Sequence, residues 1–223
     1  LKNSELNLNF QKHYGDINCI LYIPTKNLTA TCSDDHNIRI WDQVTGECKN
    51  EFQGHKDSVH SITSSNDGRY LFSGSADNAI RIWDLETGEC LKVLEGHADR
   101  ISSLTLSPDA RQVVSASWDT TLRIWDCKTG ECLRVLKGHT DRISSLISGA
   151  DGRSIVSSSW DTTLRIWDFE TGKCLKVLEG HKNGISSITL SADGRSIASA
   201  GEDNTIRIWD IKNGKCLAIL KGH

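Results

Sequence analysis

The 223-residue sequence contains no methionine, not even at position 1, so it reads as an excerpt or a processed piece of a longer chain. No run approaches the roughly 18 apolar residues of a membrane-spanning helix, and no signal peptide is visible. Charge of one sign is also missing. The 26 Lys and Arg against 29 Asp and Glu leave a formal net charge of −3, with the two signs interspersed. A nucleic-acid-binding surface usually carries a basic patch or stripe, so this balance argues against a nucleic-acid partner. The eight cysteines form no CxxC or Cys/His spacing suited to a metal. There is no Gly-rich phosphate loop, no His-Glu-x-x-His and no Gly-x-Ser-x-Gly. Neither an enzymatic reaction nor a cofactor finds support in the motifs.

What is present is a beat of 42 residues. Histidine recurs at His13, His55, His97, His139, His181 and His223, and a Trp-Asp pair at Trp41-Asp42, Trp83-Asp84, Trp125-Asp126, Trp167-Asp168 and Trp209-Asp210. A fixed period of this length denotes one supersecondary unit stacked on copies of itself. The units run 14–55, 56–97, 98–139, 140–181 and 182–223. Residues 1–13 read as an extra fourth-type strand leading into the array, because Glu5 to Phe10 alternates apolar and polar in the strand pattern.

The third unit shows the pattern of one repeat. Ile101, Leu104 and Leu106 form a short apolar strand whose irregular spacing predicts a bulge, and Pro108 to Arg111 is a turn. Gln112 to Ser117 is a second strand, Trp118-Asp119-Thr120 a tight turn, Thr121 to Trp125 a third strand and Glu131 to Leu136 a fourth. Nothing in the unit is long enough for a capped helix. Four short strands cannot hide both faces alone, whereas blades packed radially can. Cys48, Cys90, Cys132, Cys174 and Cys216 share one repeat position, too far apart for disulfides, and read as small buried hydrophobes.

The Gly-His pair, the Ser-x-Ser-x-Asp turn and the closing Trp-Asp resemble the WD40 repeat family of β-propellers across essentially the whole chain. The first unit departs most, with Lys12 in place of the glycine before His13 and Pro24-Thr25-Lys26-Asn27 in place of the Asp-Gly turn. The expected fold is all-β, with five four-stranded antiparallel blades, alone or within a larger array such as a seven-bladed one. The chain carries a fourth-type strand at both ends, and His223 reads as the opening of a further unit. Exposed blade edges are sticky, which disfavours an open five-unit monomer.

Four residue types recur in every unit: His13, Thr31, Asp35, Trp41; His55, Ser73, Asp77, Trp83; His97, Ser115, Asp119, Trp125; His139, Ser157, Asp161, Trp167; and His181, Ser199, Asp203, Trp209. Ser, His and Asp invite comparison with a catalytic triad, but five equivalent active sites in one small domain would be odd. An indole N–H only donates, a hydroxyl accepts and donates onward, a neutral imidazole does both and a carboxylate accepts. Trp to Ser/Thr to His to Asp is therefore a satisfied chain that can fasten each blade, and the family resemblance implies this same structural tetrad. One His and one Asp per unit are too few ligands for a metal.

Function then lies in what varies between copies. The resemblance implies a partner-binding face made by the residue before the turn aspartate and by the start of the first strand. Those positions hold Asp34, Ala76, Trp118, Trp160 and Glu202, then Asp16, Ser58, Arg100, Arg142 and Gly184, and two residues on Asn18, His60, Ser102, Ser144 and Ser186. Trp118 and Trp160 are the only tryptophans off the Trp-Asp beat. They occupy turns, where an indole has little structural duty. With Arg100 and Arg142 they are either a local cation–π stiffening of the rim or a composite binding surface of hot-spot residue types. Units three and four agree at 28 of 42 positions, which is also the pattern of one feature copied once. Candidate binding residues are Arg100, Trp118, Arg142, Trp160, His60, Asp34 and Glu202, on a face apolar and cationic at units three and four and acidic at units one and five. The expected function is a non-catalytic, cytoplasmic scaffold that binds a protein or peptide and no membrane. The alternative is the sensor or regulatory segment of a larger signalling NTPase or kinase.

Overall fold

The computed structural model describes residues 12–222, so the strand expected over residues 5–10 and His223 lie outside the described residues. The rest is five four-stranded antiparallel sheets, each a simple meander in chain order. In blade one these are β1 (Ile17–Ile23), β2 (Leu28–Ser33), β3 (Ile38–Asp42) and β4 (Cys48–Phe52). In blade three they are Ile101–Leu106, Gln112–Ser117, Leu122–Asp126 and Cys132–Leu136. Among the described residues, helical structure is limited to one 3-10 turn, Pro24–Lys26. It fills the site where blade one lacks the Asp-Gly turn, and Asn27 closes it in the left-handed region at φ 52°.

The bulge expected in the first strand is present in every blade. The register jumps so that Asn18, His60, Ser102, Ser144 and Ser186 have no opposite partner. A bulge turns a side chain away from the pleat, and these five positions are the ones expected on the binding face.

The blades follow one another through their first strands, β1 beside the first strand of blade two and so on to blade five. Four apolar clusters fill the four interfaces, each joining one blade's far side to the next blade's near side. Between blades three and four, Val114, Leu122, Ile124 and Leu136 meet Ile143, Leu146, Ile155 and Trp167. The β-branched residues of these strands suit a pleated surface packed from both sides.

Among the described residues, the outward sides of blades one and five are the more exposed ones. Leu220 is 51% exposed, whereas its counterparts Leu94, Leu136 and Leu178 are each 2% exposed. On blade one Ile20 is 67% exposed and its counterpart Ile62 only 5%. Among the described residues four inter-blade interfaces are formed, and no packed interface joins blade five to blade one. The ends also match poorly: blade one has Thr29 and Gln43 where blade two has Leu71 and Leu85 and blade four has Ile155 and Phe169. Thr29 and Gln43 hydrogen-bond to each other through their side chains.

One reading of the sequence needs correction. All eight cysteines are free, but Cys90, Cys132, Cys174 and Cys216 are exposed and Cys48 is only partly buried. They begin the outermost strand of each blade; in blades two to four, where the neighbouring sheet no longer reaches, most of that strand faces solvent and only its last residue enters the core.

The turn after each tetrad aspartate forces one residue into the left-handed region: His36, Asn78, Thr120, Thr162 and Asn204, at φ 59–70°. Asparagine tolerates this, whereas for a β-branched residue it is a true outlier. Replacing Thr120 and Thr162 by the asparagine found in blades two and five is expected to stabilise the chain by about 1 kcal/mol per site. Urea unfolding midpoints measure this, and an unchanged midpoint would mean that no strain resides there.

Candidate partner-binding face

The tetrad residues meet in all five blades. Each indole Nε1 donates to the Ser or Thr hydroxyl at 2.8 Å. The hydroxyl lies 2.7–2.8 Å from the histidine Nε2, and Nδ1 lies 2.7–3.0 Å from the aspartate. In blades two to five the tautomer that satisfies every atom has the hydroxyl donating to Nε2 and Nδ1–H donating to the carboxylate. Burial holds the His55 imidazole below its ordinary value, which keeps it neutral.

The aspartate does more than orient the ring. Asp119 also accepts from the backbone N–H of Ala98 and Thr121 and from the Thr121 hydroxyl, at 2.7–3.0 Å. It thereby ties the loop entering the blade to the turn between its second and third strands. Burial alone would raise these carboxyls, but the hydrogen bonds more than offset it, and Asp35, Asp77, Asp119, Asp161 and Asp203 sit well below the usual carboxylate range. The Ser-His-Asp spacing is that of a triad, yet in blades two to five the serine is buried and accepts an indole N–H. A substrate carbonyl cannot reach that oxygen.

Arginine is the repeated residue that sequence reasoning passed over: Arg39, Arg81, Arg123, Arg165 and Arg207 keep the same 42-residue beat. In blades three to five the guanidinium lies 5.8–5.9 Å from the centroid of the tetrad tryptophan, a further attraction on that ring. Arg39 is fully buried, with Nη1 2.6 Å from Asp35 and 2.5 Å from His13 Nδ1. The period alone could have identified it.

On the rim, the variable residues assemble into a stack. The Arg100 guanidinium lies 4.3 Å from the Trp118 ring centroid, Arg142 lies 4.5 Å from Trp118 on blade three, and Arg142 also lies 4.1 Å from Trp160. Trp160 in turn rests on Gly184, where a Cβ would come within 2.9 Å of the ring. The order Arg100–Trp118–Arg142–Trp160–Gly184 crosses three blades. Backbone bonds set it up, since Trp118 N–H donates to Arg100 O and Trp160 N–H to Arg142 O, both at 3.0 Å. The expectation that a turn indole has little structural duty is therefore revised. Each ring is held by guanidinium or backbone, and Arg142 joins two blades. Trp160 still presents more than a third of its surface.

The bulge residues line the inner rim and bridge neighbouring blades. Asn18 Nδ2 donates to Val59 O at 3.1 Å, Ser102 to Ile143 O at 2.6 Å and Ser144 to Ile185 O at 2.5 Å. His60 holds the same position, but its Nε2 is buried without a partner. A shallow groove there is lined by Asn18, His60, Arg100, Ser102 and Trp118. Burial, and then Arg100, lower the His60 imidazole, so it faces the groove neutral. Asp34 borders the groove by accepting from Asn18 at 2.7 Å, and that bond, first of several, lowers its carboxyl. Glu202 stands exposed on blade five, its backbone N–H held by Gly184 O at 2.8 Å, and its side chain joins none of the others.

Comparison with known proteins identifies the repeat. The family model described as "WD domain, G-beta repeat" matches residues 4–42, 46–84, 88–126, 130–168 and 172–210. These spans close on each Trp-Asp, whereas the units read from the sequence close on each histidine. Transcription initiation factor TFIID subunit 5 of Caenorhabditis elegans is 42% identical over 64 residues, 29% of this chain and 10% of that protein. Nuclear distribution protein PAC1 of Coccidioides posadasii is 40% identical over 70 residues, 28% of this chain and 15% of that protein. Periodic tryptophan protein 2 of Arabidopsis thaliana is 35% identical over 63 residues, 28% of this chain and 7% of that protein. Each match spans a small part of its relative, and no helix among the described residues is long and apolar enough to cross a membrane. Five family-model matches cover most of the length, and the chain belongs to the WD40 repeat family.

Proposed function

We propose that the chain is a non-catalytic scaffold that captures a protein segment on the rim carrying Arg100, Trp118, Arg142 and Trp160. The observation behind this reading is the Arg–Trp stack itself. It offers a rigid, partly desolvated, cationic and aromatic surface, and such residue types dominate binding hot spots. Asp34 at the groove edge and Glu202 on blade five add acidic flanks, so the partner segment that fits has an acidic or aromatic anchor and a basic flank. Binding loops on a rigid scaffold are the common arrangement. Eight free thiols suit a reducing compartment such as the cytoplasm.

The test is affinity capture from the parent organism's lysate, followed by titration of the captured partner against Trp118→Ala with Trp160→Ala. Loss of one hot-spot cluster is expected to weaken binding about 30-fold, from ~2 kcal/mol. An unchanged affinity in a double variant that keeps its thermal transition would refute this face as the binding site.

A further inference from the structure

Cys19 and Cys32 stand directly opposite one another in the antiparallel pairing of β1 with β2. Opposed residues share a face, and their Cα atoms lie about 4.5–5.5 Å apart, within the roughly 4.4–6.8 Å that a disulfide spans. Both side chains pack in the cluster between blades one and two. Cys32 is buried and Cys19 partly exposed. At the same register the other blades hold Ser61 opposite Gly74, Ser103 opposite Ala116, Ser145 opposite Ser158 and Ser187 opposite Ala200. A column that elsewhere holds serine or smaller residues carries sulfur on both partners in blade one.

We infer that Cys19 and Cys32 form a reversible dithiol–disulfide modification site, with Cys19 the attacking sulfur and Cys32 the resolving one. The hydrogen bond from Cys32 lowers the Cys19 thiol to about 6 against the opposing effect of burial, while the same contact and burial raise Cys32. The oxidant class is a peroxide. The Cys19 thiolate attacks one oxygen of hydrogen peroxide, the O–O bond breaks, and the departing hydroxide takes up a proton as water, leaving a sulfenic acid. The Cys32 sulfur then attacks the Cys19 sulfur, the S–O bond breaks, and the thiol proton leaves with the hydroxyl as a second water. Two thiols and one peroxide give one disulfide and two waters.

The bridge would sit at the acidic end of the candidate face. Asn18, next to Cys19, holds both Asp34 and blade two, and Cys32 lies two residues before Asp34. The inference does not depend on the Arg–Trp stack.

The 223-residue chain, titrated with hydrogen peroxide and then alkylated under denaturing conditions, provides the test. Peptide mass spectrometry should show a Cys19–Cys32 crosslink, lighter by two hydrogens and reversed by dithiothreitol. It should form about tenfold faster than the exposed Cys90, Cys132, Cys174 and Cys216 are oxidised. In Cys32→Ser, which places in blade one the residue blade four carries as Ser158, the crosslink should vanish and Cys19 should accumulate as a dimedone-trappable sulfenic acid. The inference is overturned if Cys19 and Cys32 remain separately alkylatable at peroxide levels that oxidise the four exposed thiols. It is also overturned if Cys19 in the unmodified sequence proceeds to sulfinic acid with Cys32 still free.

Discussion

Trp167→Ala is expected to lower the unfolding free energy by about 3–5 kcal/mol, the range for truncating a large buried aromatic. Trp167 is 1% exposed and fills the interface between blades three and four among Val114, Leu122 and Ile155. Its removal opens a cavity and also takes from Ser157 the indole N–H it accepts at 2.8 Å. Trp167→Phe keeps most of the volume and isolates the second effect, at about 1–2 kcal/mol. Blade one supplies the contrast. Trp41 is only partly buried, with no blade among the described residues packed on that side, so Trp41→Ala should cost distinctly less. Urea titrations followed by circular dichroism give all three values. Equal losses at Trp41 and Trp167 would mean that the tetrad bond, and not the inter-blade packing, sets the cost.

Acid should unfold the chain steeply. The five tetrad aspartates are held well below the usual carboxylate range in the fold, while in the unfolded chain they return to about 3.9. A depressed folded-state value contributes stability that is fully present above the unfolded value and is lost as pH falls toward the folded one. The loss therefore begins near pH 4 and grows as the pH drops further. Each site contributes at most about 1.4 kcal/mol per pH unit, and five sites at most about 7. His55 acts in the same direction from a higher pH. Burial lowers its folded value, so protonation of the unfolded chain below about 6.5 drains stability too. Asp161→Asn removes one titrating site and should flatten the acid slope by about a fifth, although its stability at neutral pH will be lower. Unfolding free energies at stepped pH between 2 and 7 would decide, and an acid slope unchanged by Asp161→Asn would rule out the tetrads as its source.

The repeat makes the fold legible in the sequence alone. A strict 42-residue period, a strand-rich unit and donor–acceptor bookkeeping suffice to anticipate four strands per blade and the Trp–Ser/Thr–His–Asp chain. Less visible was anything that depends on how two blades meet. Arg142 lies against tryptophans from two different repeats, a contact that spacing within one unit cannot show. The exposure of the cysteine column has a related cause: cysteine is a residue type often buried, whereas strand position decides it here, and the fourth strand is the outer edge. The pairing of Cys19 with Cys32 escaped notice because neither follows the beat. It emerges from register, which a bulge at Asn18 shifts by one residue.

The four boundaries between the described blades have a consequence for how these five blades come apart. In a linear stack stability is close to a sum of terms for units and for the boundaries between them. Opening blade five severs one boundary, while opening blade three severs two. In the 223-residue chain taken by itself, backbone amides should therefore exchange with solvent soonest in blades one and five, with blade three the last to yield and the rim bearing Trp118 lodged in that slowest segment.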